Sequence, residues 1–428
     1  MKIKNFKQLN QDQNRKRALE ITEAGLQAID TKKVIQNNVY LKNERLHIKD
    51  NSIKIKDFKR LFVVGIGKCS LDACFELENI LGDLIESGIA VDISEKKKLK
   101  KIKLCPGTHP FPSKQNVECT KKVISLLKQA EKEDLVIFVI SGGGSTLLCQ
   151  PTDYNYKKEV EILKTLFDEG ATIQEINTIR KHTSTARGGF LAKYAYPAKS
   201  FSLIFSDVPG DDLSFIASGP TVKDSTTIND AKKTLNKYNI FEKTKIKDFK
   251  LTETPKQDKY FKKVKNLLLV SNKFALNAIK EKAEEFDYKT QIITTTLTGE
   301  AKDIGKKIVE KLESEKPKTV LLYGGETTVT KNNKAKGEGG RNQELVLSAL
   351  RFIGPEETVI SIASDGRDNT DFAGAIADKL TQKHAKKIRI EKYLDQNNSF
   401  NFFKKTGDYI KTNNTGSNVS DLIITIKD

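Results

Sequence analysis

The stretch that most constrains this chain is Asp134–Leu148, DLVIFVISGGGSTLL. An unbroken apolar run from Leu135 to Ile140 closes on three consecutive glycines set between two serines. Such a run, bounded by turn residues, reads as a strand buried on both faces, hence part of a sheet covered by helices. The glycines then make a sharp turn without Cβ atoms, where backbone N–H groups can approach an anion. If a helix starts near Ser145, its N-terminus adds partial positive charge at the same spot. Two readings stay open here: a phosphate or carboxylate cradle, or an ordinary tight strand-to-helix turn.

The signature recurs along the chain. Arg60–Gly65 enters GIGKCS, Phe201–Phe205 enters SDVPGDD, Thr319–Tyr323 enters GGETT, and Thr358–Ala363 enters SDGRD. Helical spacing separates these runs, over Leu71–Ile85, Asn116–Glu133, Thr226–Tyr238, Phe274–Phe286, Glu300–Leu312 and Asn342–Phe352. Strands alternating with helices imply parallel βαβ units under helices on both faces, an α/β fold. Arg17–Val39 reads as an N-terminal helix, Leu41–Phe58 as a short hairpin, and Leu104–Pro112 as a loop. At 428 residues the chain exceeds one core of usual size, so two domains are expected. Phe241–Lys265 is polar, lysine-rich and without period. It reads as a linker over 241–265, between an N-terminal domain over 1–240 and a C-terminal domain over 266–428.

The formal charge of +18 raises the question of nucleic acid. The excess is scattered lysine interleaved with acids, with one dense run at Lys96–Lys103, and only ten residues are arginine. There is no Trp and no basic–aromatic interleaving that would stack bases, so a solvated lysine surface is expected and no nucleic-acid partner. No apolar run is long enough to span a bilayer, and the N-terminus lacks a secretory h-region, so the expected place is the cytoplasm. The five cysteines are odd in number and form no CxxC pair. They are expected to be buried small hydrophobes rather than a disulfide framework or zinc site.

In parallel α/β sheets, ligands sit outside the carboxyl ends of strands, and the unusual residues cluster there. Lys68 follows Gly65 and Gly67. The loop is no Walker A motif, which needs glycine in place of Phe62 and Ser or Thr in place of Cys69, but it can deliver one ammonium to a phosphoryl group. Asp207, Asp211 and Asp212 can bind Mg²⁺, accept a proton or cap a helix. Arg180, Arg187, Arg341 and Arg367 all lie in Gly/Asp-rich segments, where the guanidinium fork suits either bidentate anion contacts or structural ion pairs. Glycines, a lysine, arginines and aspartates at strand ends are phosphoryl-transfer equipment. No GxSxG elbow and no HExxH spacing is present, and GIGKCS carries serine where a dinucleotide fingerprint has its third glycine.

As an ordered set, GIGKCS, GTHPFP, DLVIFVISGGGSTLL, INTIRKH with RGGFLA, SDVPGDDLSFIASGPT, GGETTVT, GEGGRNQEL, SDGRDNTDFAGAIAD and TGSNVSDL resemble the glycerate 2-kinases with a C-terminal MOFRL domain. The resemblance runs from about Ala18 to Leu422. It implies a Rossmann-like N-terminal domain, a smaller α/β C-terminal domain, and an active site in the cleft between them. The implied reaction is phosphorylation of D-glycerate at the 2-hydroxyl by ATP with Mg²⁺, in a small-molecule enzyme expected as a homodimer. The alternatives are a hydroxypyruvate reductase, a label some members carry, and a kinase for another short sugar acid.

Carried over residue by residue, Lys68, Asp207 and Arg341 match the catalytic positions, with Asp207 activating the hydroxyl. Gly142, Gly143, Gly144 and Ser145, with Gly324, Gly325 and Glu326, are the expected phosphate and nucleotide contacts. His109, Arg180 and Asn342 are expected at the substrate, and Asp365 with Asp211 at the metal. Cys69 stands where alanine is usual, and DGRDNTDFAGA is one residue shorter than the family's DGxDGPTDAAGA and lacks its second glycine.

Overall fold

The structure is a computed structural model, and it describes residues 1–94, 97–153, 155–244, 246, 249–331 and 335–428. Lys96 of the lysine run, residues 245, 247 and 248 of the expected linker, and residues 332–334 of the lysine-rich stretch after GGETT lie outside the described residues. The chain forms two compact units, one of residues 31–269 and one of residues 1–30 with 270–428. Among the described residues no helix is long and apolar enough to cross a membrane.

This division departs from the expected boundaries at both ends. The first long helix, α1 (Gln13–Ala28), packs with the second unit because Arg15 is buried there. Its Nε and Nη2 bond Asp378, at 2.7 and 2.5 Å, and its Nη1 bonds Asp408 at 2.8 Å. Those partners lie more than 360 residues along the chain, so local periodicity could not reveal them. The expected linker runs back to the first unit rather than out of it.

In the unit of residues 31–269, β1 (Val39–Lys42), β2 (Arg45–Ile48) and β3 (Asn51–Lys54) form a small antiparallel sheet. The main sheet holds β4 (Leu61–Ile66), β5 (Ile85–Asp92), β6 (Ile102–Pro106), β7 (Leu135–Ile140), β8 (Lys199–Phe205) and β9 (Val264–Val270). Their spatial order is β6-β5-β4-β7-β8-β9, and the pairs from β6 through to β8 are parallel. Every residue of β4 and β7 is buried, as their unbroken apolar runs require. Phe62, Val64 and Ile66 share a core with Val136, Phe138 and Ile140. β9 overlaps the start of the domain expected over 266–428, yet it is the outer strand of this sheet. β6 covers the first part of what reads as a loop at 104–112, and Pro106 ends it, as proline does on edge strands.

Helix α2 (Ser70–Leu81) follows β4, and α3 (Lys114–Leu127) follows β6. Cys105 on β6 and Cys119 on α3 form a disulfide, with Cα atoms 5.7 Å apart. That corrects the expectation of five unpaired cysteines, which held only for the buried Cys69, Cys74 and Cys149. Spacing alone does not say which strand and helix lie side by side. After β7 comes α4 (Gly144–Leu147), a single turn, and then α5 (Tyr156–Asp168) and α6 (Ile173–His182). A reciprocal cap between Thr172 and Glu175 starts α6, satisfying two N–H groups that the helix cannot.

The second unit has a six-stranded sheet of β10 (Lys289–Leu297), β11 (Thr319–Gly325), β12 (Glu357–Ala363), β13 (Gly374–Ala377), β14 (Tyr409–Ile410) and β15 (Asp421–Lys427). Its order is β10-β11-β15-β12-β13-β14. Only β10 and β11 pair in parallel; β15 lies antiparallel between β11 and β12. The sheet is therefore mixed, in keeping with the expected parallel-sheet N-terminal domain followed by a smaller α/β domain. Helices α7 (Asn272–Glu284) and α8 (Arg341–Ala349) belong to this unit.

Candidate active site

The order of the first sheet places its loops. The chain begins this sheet with β4 in the middle, builds outward through β5 and β6, and returns to β7 on the other side of β4. Connections leave β4 and β7 in opposite directions, which opens a crevice at their carboxyl ends. Lys68 follows one strand and the SGGGS segment the other. Ile66 is level with Ile140, and Ile140 with Ile204 of β8.

Ser141 ties the two loops together. Its hydroxyl donates to Ile66 O and accepts from Cys69 N–H, both at 3.3 Å, while Lys68 N–H donates to Gly142 O at 3.0 Å. Gly67 turns with φ +115° against Ser141, and a Cβ there would stand 2.2 Å from Ser141 Oγ. Gly143 has φ +79°, and its missing Cβ leaves the space through which the Lys68 side chain passes. An added Cβ would lie 3.1 Å from Lys68 Cγ, 3.2 Å from Lys68 Cε and 3.4 Å from His109 Cδ2. The triple glycine thus seats a lysine and a histidine, a purpose its sequence did not state. Asp92, at the end of β5, accepts from Leu71 N–H at 2.9 Å and so caps the helix that carries Lys68's loop.

His109 sits in GTHPFP, a segment held by Asn116, whose side chain bonds the backbone of Thr108 and Thr146. Burial, then the charges of Lys68 and Arg180, push the His109 imidazole down to about 4. It is therefore neutral near pH 7 and offers one donor and one acceptor. Arg180, near the end of α6, is pushed down to about 10 by burial and by Arg187, against the pull of Glu159. It remains a cation and lies over the Phe167 ring at 5.9 Å. Arg187 bonds Glu159 at 2.6 Å, with side chains 1% and 0% exposed. Around them is a cavity of about 190 Å³, lined by His109, Ser145, Thr146, Glu159, Arg180 and Arg187 among others.

Asp207 follows β8 and is half-buried; Asp211 is half-buried with φ +57°, and Asp212 accepts from Ser214 N–H at 2.8 Å, a turn-capping role. The next segment holds Ala217, Ser218 and Gly219 all at positive φ. That conformation is costly for the first two and is commonly found where function over-determines it. Ser218 Oγ bonds Ser145 Oγ and Asn177 Oδ1, each at 2.8 Å, joining this segment to the glycine turn.

In the second unit, register brings the end of β11, the end of β12 and the start of β15 together, with Gly325 and Ala363 both opposite Asp421. Arg341 begins α8 and forks onto Asp421, Nε to Oδ2 at 2.5 Å and Nη2 to Oδ1 at 3.1 Å, with Glu326 at 3.0 Å from Nη2. Burial opposes its charge, yet the bonds to Asp421 and the nearby Glu326 hold the guanidinium above its ordinary pKa. Nη1 takes no part in the fork.

Several expected roles change here. Gly324 and Gly325, expected at the phosphates, are the last residues of β11. Added Cβ atoms would meet Asn272 at 2.9 Å and the Leu297 backbone at 2.3 Å, so packing explains both. Asn342 is buried rather than open to substrate; its amide donates to Asp368 at 3.2 Å and accepts from Ser361 at 2.5 Å. Asp368 caps α8 by accepting from the N–H groups of Asn342 and Gln343 at 3.1 and 2.8 Å. Its carboxylate occupies the place a Cβ on Gly340 would take, 2.2 Å away, which accounts for the second glycine of GGRNQ. Ser141 and Asp421 lie in the SGGGS and TGSNVSDL segments without having been singled out, and Glu159 went unnoticed because nothing local distinguishes it.

Asp365 lines an open pocket of about 840 Å³ with Lys331, Glu338, Arg367, Asn369 and Phe400. One of its oxygens accepts from Arg367 N–H at 3.0 Å. Among the described residues no three His, Cys, Asp or Glu side chains converge as a metal cluster. Mg²⁺ commonly takes only one or two carboxylates, with phosphate oxygens and water completing the octahedron, and the hard oxygens of Asp365 or Asp211 suit that chemistry.

Two family matches cover most of the chain: residues 17–249 match a domain of unknown function, DUF4147, and residues 319–421 match the MOFRL family. A glycerate 2-kinase of Pyrococcus horikoshii is 37% identical over 96% of this chain and 98% of its own length. A protein of Agrobacterium vitis called a putative hydroxypyruvate reductase is 34% identical, over 87% of this chain and 88% of its own. The crystal structure of a glycerate kinase from Thermotoga maritima superposes with a TM-score of 0.83 at 31% identity, covering 96% of this chain and 99% of that one.

Proposed function

This chain belongs to the glycerate 2-kinase family, and on that premise we propose that it transfers the terminal phosphoryl group of ATP to the 2-hydroxyl of D-glycerate. The observation that carries the proposal is Lys68, seated over Gly143 beside His109 and Arg180 where β4 and β7 diverge. Phosphoryl transfer depends on positioning and charge neutralisation, and a lysine held by two stapled loops supplies both.

Asp207 accepts the proton of the acceptor hydroxyl as its oxygen attacks. Lys68 neutralises charge on the transferring phosphoryl group. Arg341, fixed by Asp421 and Glu326, presents Nη1 to phosphate oxygen. The N–H groups of Gly142–Ser145 receive an anionic group. Asp365 and Asp211 are the carboxylates assigned to Mg²⁺, which when bound screens the negative charge of the triphosphate. The reaction is assigned to the cytoplasm.

A reductase reading is disfavoured by the β4 turn. Where a dinucleotide site keeps a third glycine for close packing, Ser70 is buried with its hydroxyl donating to Val91 O at 3.0 Å. The deciding experiment incubates the protein with ATP and D-glycerate and identifies the product by phosphorus–proton coupling in NMR. Parallel cuvettes follow NADH with hydroxypyruvate. Phosphorus on the C2 oxygen supports the proposal; NADH consumption without ADP formation overturns it.

A further inference from the structure

RGGFLA and ASGPT supply no group to the reaction, yet their residues converge on one buried hydroxyl. Gly188 and Gly189 turn with φ +56° and +90°, and their N–H groups donate to Ser218 O and Gly219 O, each at 2.8 Å. Leu191 N–H donates to Pro220 O at 3.0 Å. On the other side Gly144 has no Cβ, and one added there would lie 2.5 Å from the Ala217 Cβ. The strained turn of Ala217, Ser218 and Gly219 is thus clamped between the RGG segment and the glycine turn after β7.

Ser218 is the residue to explain. At φ +58° a glycine sits without strain, as Gly219 does at the same φ. The serine keeps its Cβ at that cost and is fully buried, and among the described residues its hydroxyl bonds only Ser145 and Asn177, each at 2.8 Å. Ser218 donates its one hydrogen to Asn177 Oδ1, so its oxygen accepts from Ser145. The Ser145 hydrogen is spent inward, which leaves only lone pairs on an oxygen whose residue lines the cavity beside His109 and Arg180. A hydroxyl that already donates is the stronger acceptor. It suits the O–H of an alcohol and repels a phosphate oxygen. Asn177 comes from α6, one turn before Arg180, and Lys181 pins that helix through a buried bond to Asp224 at 3.0 Å.

We propose that Asn177 and Ser218 are positioning residues that hold the Ser145 hydroxyl as a hydrogen-bond acceptor for the alcohol substrate, while the backbone N–H groups of the same turn receive the anion. The inference rests on the reading of this turn as part of a kinase site. It divides the expected phosphate role of Ser145: its N–H serves the anion and its side chain serves a hydroxyl. The left-handed strain at Ser218 is then the cost of placing one oxygen between Asn177 and Ser145.

The test is a kinetic double-mutant cycle in the full-length protein, with turnover read by ADP release and Tm by circular dichroism. Ser145→Ala is expected to lower kcat/KM for D-glycerate on the order of 10-fold, with KM for ATP within about twofold of the wild type. Asn177→Ala is expected to cost a similar factor alone, but less than about twofold more when added to Ser145→Ala, because it acts through Ser145. Losses that multiply in the double variant overturn the positioning role, and a KM effect confined to ATP overturns the acceptor assignment. Ser218→Gly removes the hydroxyl and the left-handed strain together. It is expected to lose the same ~10-fold, with a Tm no lower than that of Ser218→Ala. Wild-type rates in Ser218→Gly overturn the proposal, since the hydroxyl then does nothing. Should Asn177→Ala fail to fold, Ser218→Gly takes its place in the cycle. If the wild type does not phosphorylate D-glycerate, the kinase reading fails, and the cycle is read on calorimetric affinity for D-glycerate or D-erythronate. Binding of neither acid overturns the positioning proposal as well.

Discussion

Gly143→Ala separates the two purposes a glycine can serve. At φ +79° an alanine pays for left-handed backbone, and its Cβ stands 3.1–3.2 Å from the Lys68 side chain. Gly170, between α5 and α6, has φ +72° with nothing within 4 Å of an added Cβ. Gly170→Ala therefore carries the same backbone cost without the contact. That cost is ~1–2 kcal/mol in each variant. In a unit of this size it corresponds to a fall in Tm of about 2–8 °C, read by circular dichroism. Only Gly143→Ala moves Lys68, by a few tenths of an ångström or more, because ordinary contact begins near 3.4 Å. Displacement approaching ~1 Å costs about 10²-fold in rate, so kcat with ATP and D-glycerate should fall roughly 10- to 100-fold in Gly143→Ala alone. If the two variants turn over within about threefold of one another, the steric role of Gly143 and the placement of Lys68 are both wrong.

Lys68→Ala should abolish most turnover while leaving the far-ultraviolet spectrum unchanged; near-normal initial rates would refute its role. Arg15→Met leaves Asp378 and Asp408 buried without their cation, and urea unfolding should show a loss of about 3–5 kcal/mol. A loss below ~1 kcal/mol would mean the triad is not what holds α1. His109 is held neutral with its pKa at about 4, below the ordinary 6.5. The unfolded chain takes up that proton first as pH falls, so the stability His109 contributes is whole above about pH 6.5 and is lost towards pH 4. His109→Gln should flatten the stability profile in that window, and an unchanged slope in urea titrations at several pH values would contradict it.

Some chemistry was local and therefore readable. The apolar runs of β4 and β7 announced buried strands, because only a sheet covered on both faces tolerates them. Ser, Gly and Asp at their ends announced the loops. Other features depended on distant partners. Gly324 and Gly325 read as a loop and are the last strand residues of β11, pressed against Asn272 and Leu297. Cys105 and Cys119 looked unpaired until β6 and α3 came together. Asp368, at the shortened DGRDNTDFAGA segment, caps α8.

By itself the amino-acid order determined which unbroken apolar runs are strands, which loops carry cations and carboxylates, and the family they resemble. Those properties depend on hydrophobic period and side-chain type within a dozen residues. Tertiary structure alone decided that β4 and β7 stand side by side, that β15 runs antiparallel between β11 and β12, and that Arg341 meets Asp421 eighty residues away. An apolar run specifies burial but not its neighbour, since every such strand offers the same backbone hydrogen bonds. Which strand takes which place follows from packing the whole core at once.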